Sequence, residues 1–231
     1  MLNEAKRDYL FLIWKDPNSR RNFTVGKLTR GEKFRFEYCE EYQEAVKSGW
    51  KGLTAFPDMN GVYESENLFP AFSSRLPDPK RRDMEKILEK YGLESYDAYE
   101  LLKKSGARLP IDTYEFIDPI FPEDETVQRD FFVMGIRHNA PCKGEDCGLL
   151  PAVEKGDLLK FQPEPDNPYD PNAIMIMTES GEQLGYVPRY FSPQILARLE
   201  RGDGYSCRVL EVGSNHDCTE CVKVRLNIPA V

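Results

Sequence analysis

Long apolar runs are missing from this 231-residue chain. The longest, Tyr9–Trp14, is strand-sized and far below the ~18–20 residues of a membrane span. The opening residues MLNEAKRDYL carry charges where a signal peptide needs its apolar stretch, so a cytoplasmic protein with no membrane partner is expected. Histidine is scarce, with two in all, and no Ser/His/Asp constellation or phosphate-cradling Gly-rich loop is found, so no enzyme is expected. An excess of positive charge is also absent. Lys and Arg number 31 against 39 Asp and Glu, a net charge of −8. Residues 129–231 hold 11 basic and 15 acidic residues, so neither half is a basic sheath suited to tracking a duplex backbone. A nucleic-acid site here must be small and local. Six cysteines in such a chain do not make a disulfide scaffold.

What is present is 40% hydrophobic and 12% aromatic residues, enough for one or two globular cores. The first half alternates strand and helix patterns. Tyr9–Trp14 and Phe23–Leu28 read as strands around the DPNSRRN turn, followed by a strand at Lys33–Tyr38. Helical spacing marks Glu40–Lys47, Asn67–Leu76, Asp83–Tyr91 and a short stretch from Ser95 to Gly106, with a last strand at Thr113–Ile117. Residues 57–66, PDMNGVYESE, read as an exposed loop, with Tyr63 and Trp50 as aromatics that could face a partner and the core as the expected place for Trp50. Two prolines and a run of acids make residues 119–128 a linker. Beyond it the pattern turns to β, with candidates at 131–136, 157–162, 173–178, 183–187, 205–212 and 222–228 and one helix at 191–201. The expected fold is an α+β module over 1–118 and an all-β, OB-like small barrel with one helix over 129–231.

Asp166–Ile174, DNPYDPNAI, is the densest signal. Prolines fix φ around Asn167, Tyr169 and Asp170, presenting them in a rigid turn before an apolar strand. An Asx-turn at a strand start accounts for the same residues by itself. Gly135-Ile136-Arg137-His138 precedes this turn and Leu184-Gly185-Tyr186-Val187-Pro188-Arg189 follows it. In that order and spacing the three segments resemble the HIRAN domain, over residues 129–231. The resemblance implies an OB-like barrel that captures single-stranded DNA at a free 3′ end. Arg137 would meet a phosphate, and His138 would stand where an aromatic, commonly Tyr or Phe, stacks on a base. Asn167, Tyr169 and Asp170 would line the terminal nucleotide, with Tyr186 and Arg189 on the phosphate side. An anionic Asp170 accepts a bond from a hydroxyl but repels a phosphate, so it would select an end rather than a strand.

Cys142 and Cys147 have C-x4-C spacing, and Cys218 and Cys221 C-x2-C. Four thiolates could close a tetrahedral structural zinc site if their loops meet. Unrelated loop thiols or a redox-labile pair in each loop account equally for the spacing.

Val25-Gly26-Lys27-Leu28 with Phe34–Tyr38, the segment Glu66–Asp78 and the Arg82–Gly92 helix resemble the N-terminal subdomain of HipA-type kinase toxins, over residues 9–117. The kinase core that normally follows has no counterpart here: no H-R-D and no D-F-G occur. A detached copy of this subdomain resembles the small component of split toxin–antitoxin systems, which binds and restrains a separately encoded kinase. Tyr63 is the candidate partner-facing residue. A DNA-repair accessory factor without a kinase partner, a plain scaffold for the second half, and an enzyme with an unrecognised site remain alternatives.

Overall fold

The computed structural model describes residues 8–136, 153–213 and 221–230. The chain divides into two compact units, Met1–Pro119 and Ile120–Val231.

The first unit is built on a five-stranded antiparallel sheet. Its strands are β1 (Tyr9–Lys15), β2 (Asn22–Arg30), β3 (Phe34–Tyr38), β4 (Val62–Ser65) and β5 (Tyr114–Ile117), in the order β4-β3-β2-β1-β5. The β1–β2 turn is organised by Asp16, whose carboxylate accepts from the Asn18 N–H at 2.9 Å and the Ser19 hydroxyl at 2.5 Å. Alternation puts Leu10, Leu12, Phe23, Val25 and Phe36 into one core. Helices α1 (Tyr42–Lys47), α2 (Pro70–Ser73), α3 (Met84–Tyr91) and α4 (Ala98–Ser105) supply the rest. Phe72 of α2 meets Phe36 and Phe116 edge-on at 5.2 and 4.9 Å, and Tyr99, Leu101 and Leu102 of α4 join the same cluster. Asp97 caps α4 by accepting from the N–H groups of Tyr99 and Glu100. A nearly buried Arg75 grips Asp112 with two bonds of 2.6 and 2.9 Å and donates to the carbonyls of Ala107 and Tyr114.

Two sequence expectations change here. The 57–66 segment is not all loop, because Val62–Ser65 pairs with β3 as the edge strand β4. The helix expected over Asn67–Leu76 shrinks to α2, since Phe69 and Phe72 reach the core from a single turn opened by Pro70.

The second unit has β6 (Val127–Phe132), β7 (Leu158–Pro163), β8 (Ile174–Thr178), β9 (Gln183–Tyr186), α5 (Ser192–Glu200), β10 (Ser206–Val212) and β11 (Val222–Ile228). The strands pair antiparallel in the order β6-β11-β10-β7-β8-β9. Just beyond β6, Met134 exchanges two backbone bonds with Tyr186 of β9, at 2.9 and 2.8 Å, and so joins the two edges of the sheet. That bridge curls the sheet into a small barrel-like form, its two edge strands meeting at one residue pair. Leu159, Ile174, Ile176, Leu184, Val209, Val222, Val224 and Leu226 are buried. Gly185 is required at the closure: a Cβ there would stand 2.4 Å from the Met134 carbonyl oxygen and 2.6 Å from Val133 Cγ1. Gly135, at φ +73°, turns the chain immediately after it.

Residues 120–126 belong to this unit rather than to a free linker. Ile120 and Phe121 are buried, and the buried Arg198 of α5 donates to the carbonyls of Phe121 and Asp124. β6 accordingly starts four residues earlier than the alternation of 131–136 suggests.

Candidate nucleic-acid interface

The segment between β7 and β8 is held from inside. Its base closes where the Glu164 N–H donates to the Ala173 carbonyl at 2.9 Å. Asn167 Oδ1 accepts from the N–H groups of Tyr169 and Asp170 at 2.9 and 3.2 Å, and Asp170 Oδ1 accepts from the Asn172 N–H at 2.9 Å. These Asx-type bonds satisfy the backbone locally, so the turn needs no help from the side chain of Tyr169. That side chain is 87% exposed.

The other side of the site comes from β9 and the residues after it. Tyr186 donates its hydroxyl to Glu164 Oε2 at 3.1 Å. Burial pushes its phenol above the ordinary value; the Gln183 side chain opposes the rise and the Glu164 carboxylate adds to it. Arg189 Nε lies 3.9 Å from Asp170 Oδ2, and the arginine side chain is 45% exposed. An outward aromatic, a carboxylate oxygen and a guanidinium thus stand along one turn and the strand end facing it. Such a set can stack on a base, accept from a hydroxyl and neutralise a phosphate.

Of the expected nucleic-acid residues, Asn167, Tyr169, Asp170, Tyr186 and Arg189 are linked by these bonds. Asn167 serves inside the turn, its amide donating to Glu164 Oε2 at 2.6 Å. Arg137 and His138 lie outside the described residues. They directly follow the chain that Tyr186 holds, since Met134 is bridged to its backbone. Tyr186 thus touches the 166–174 turn region through Glu164 and, through its backbone, Met134, the residue before Gly135. Glu164 escaped the sequence reading because nothing in its spacing sets it apart from the other carboxylates; the Glu-Pro-Asp-Asn run before the turn was the available signal.

Family models match both units. The HIRAN domain model covers residues 128–228. This segment is a HIRAN domain. A second model, the HipA N-terminal domain, matches residues 20–110, so the first unit carries a HipA N-terminal domain. Among curated proteins, mouse helicase-like transcription factor is 28% identical over 100 residues, covering 41% of this chain and 10% of that protein. The chain thus spans about a tenth of that relative's length. Two solved structures are similar over 45% of the chain. The HIRAN domain of human HLTF aligns at 17% identity and a TM-score of 0.35, over 78% of its length. A protein from Lactobacillus plantarum aligns at 21% identity and a TM-score of 0.36, over 94% of its length. At those scores the fold of the HIRAN segment rests on its own strand pairing.

Elsewhere, Cys142, Cys147 and Cys218 lie outside the described residues. Cys221, the residue before β11, is buried, its thiol donating to the Gly213 carbonyl across 3.6 Å. Among the described residues no group of three or more His, Cys, Asp or Glu side chains could hold a metal. Tyr63 lies in β4, half-buried, with its ring edge-on to Phe56 at 5.0 Å. Its hydroxyl accepts from the Asp58 N–H at 2.6 Å and donates to the Asp58 carbonyl at 3.1 Å, so it pins the preceding loop. Trp50 is in the core and donates its indole N–H to the Tyr114 hydroxyl at 2.7 Å. Among the described residues no helix is long and apolar enough to cross a membrane.

Proposed function

We propose that this chain is a non-catalytic adaptor. Its HIRAN domain binds single-stranded DNA or DNA 3′ ends, and its N-terminal unit binds and restrains a separately encoded HipA-type Ser/Thr kinase. The observation that carries the first half is the linkage of the 167–170 turn to Tyr186 through Glu164, with Tyr169 projecting into solvent next to the Asp170–Arg189 pair. A net-acidic domain with the Asp170–Arg189 pair beside an exposed Tyr169 suits capture of a terminal nucleotide better than tracking of a duplex. The HipA N-terminal domain match supports the second half. Coupling between the two ligands would make the fraction of restrained kinase depend on exposed DNA ends, and the dependence would be reciprocal.

Two measurements test this reading. Fluorescence anisotropy should give tighter binding of the full chain to a single-stranded oligonucleotide than to a blunt, end-capped duplex of the same sequence; equal affinities count against end capture. Co-expression with a HipA-type kinase should yield a complex that survives Tyr169→Ala and whose crosslinks fall in residues 1–119. Failure to co-purify removes the kinase role and leaves a DNA-end accessory factor.

A further inference from the structure

Glu164 directly follows β7 and is half-buried. One carboxylate oxygen, Oε2, accepts from the Asn167 amide at 2.6 Å and from the Tyr186 hydroxyl at 3.1 Å. The same residue's N–H donates to the Ala173 carbonyl, and its carbonyl accepts from the Asn167 N–H at 3.1 Å. It therefore stands at the entrance of the turn and links it to the strand that closes the barrel. Asn167 in turn orders the backbone of Tyr169 and Asp170 through Oδ1. Tyr186 holds Met134, the residue three before Arg137, through its backbone.

Resting on the nucleic-acid reading of this site, we propose that Glu164 is its positioning residue. It orients Asn167 and Tyr186 as one unit and touches no ligand itself. The chemistry favours this role. An ionised carboxylate accepts more strongly than a neutral oxygen, and two donors converging on one oxygen fix each other's direction. An amide whose N–H2 is engaged by the carboxylate must also present Oδ1 to the turn, so Glu164 decides which way Asn167 faces. Without it, Asn167 and Tyr186 keep their places in the chain and lose their alignment. Binding then pays for ordering them.

The test uses the full chain, a short fluorescent oligodeoxynucleotide with a free 3′-hydroxyl, and anisotropy across a range of salt. Glu164→Ala is expected to weaken binding about tenfold, equivalent to about 1.4 kcal/mol. The slope of log affinity against log salt should stay as in the unsubstituted protein, because no phosphate contact is removed. Glu164→Gln retains an acceptor for both donors and should recover most of the loss; it also serves if the alanine variant folds poorly. Combining Glu164→Ala with Tyr186→Phe should add little to the loss from Glu164→Ala alone, since both break the same link. Unchanged affinity in a folded Glu164→Ala protein overturns the proposal, as does full additivity with Tyr186→Phe or a shallower salt slope. If the unsubstituted protein binds no single strand, the reading of the site fails and the proposal falls with it; normal binding with an inert Glu164 refutes the proposal alone.

Discussion

Truncating Tyr169 to alanine separates binding from folding more cleanly than any other change in the HIRAN domain. Its side chain is 87% exposed, so the fold gains almost nothing from the ring. Its backbone N–H is held by Asn167 Oδ1 at 2.9 Å, a bond that the substitution leaves in place. Surface changes of this kind stay within about 0.5 kcal/mol in stability. For a unit of this size that is at most about 2–4 °C in Tm. A base stacked on the ring is worth about 1–3 kcal/mol. Losing it should weaken single-strand binding by roughly 5- to 150-fold at 1.4 kcal/mol per tenfold. Tyr169→Phe keeps the π face and should bind nearly as the unsubstituted protein does. Anisotropy with a short oligonucleotide, run beside a thermal melt, reads both quantities. Unchanged affinity in a normally melting Tyr169→Ala protein would refute the stacking argument. A fall in Tm beyond about 4 °C would refute the claim that the turn is self-supporting.

Gly185→Ala should destabilise the barrel by about 1–3 kcal/mol, because its Cβ meets the Met134 carbonyl oxygen at 2.4 Å and forces the closing pair apart; chemical denaturation reads the loss. In the first unit, Asp112→Ala strips the nearly buried Arg75 of its bidentate partner. It should cost about 2–4 kcal/mol, less than a fully buried pair because Asp112 is a quarter exposed. Burial opposes ionisation of Asp112, but the bonds from Arg75 and the Tyr114 N–H outweigh it and hold its carboxyl below the ordinary range. With the folded value below the unfolded ~3.9, its contribution is present above about pH 4 and lost as pH falls through the folded value. The stability gap between the unsubstituted and Asp112→Ala proteins should therefore close only in acid, and a gap that instead closed toward alkaline pH would contradict the assignment. The spacing of Cys142, Cys147, Cys218 and Cys221 predicts about one zinc per chain by elemental analysis after chelator-free purification, and none found would remove that expectation.

Much of the HIRAN fold was legible in the sequence because short apolar runs bounded by Gly, Pro, Asn and Asp mark its strands, and β11 alternates cleanly: β7, β8, β9, β10 and β11 begin within a residue of where the pattern places them. The start of β6 was hidden because its outward residues Gln128 and Asp130 continue the acidic, polar character of the preceding stretch. β4 was hidden because four residues at a sheet edge, two of them exposed, carry too little alternation to stand out from a Gly- and Asn-containing loop. In the site, the proline-braced turn announced Asn167, Tyr169 and Asp170. The bond from Tyr186 to Glu164 and the Met134–Tyr186 closure were not legible, because each joins residues that only the barrel's curvature brings together. Tyr63 looked available from its loop-like neighbourhood, whereas packing on Phe56 and two bonds to Asp58 engage it.

End capture is tested most directly with two oligonucleotides identical except at the 3′ terminus, one bearing a hydroxyl and the other a phosphate. Asp170 Oδ2 can accept from the hydroxyl, and its charge repels the added phosphate. The hydroxyl-terminated strand should bind more tightly, and the difference should narrow in Asp170→Asn, which keeps an oxygen for the Asn172 N–H and so preserves the turn. Equal affinities for the two strands would contradict the account.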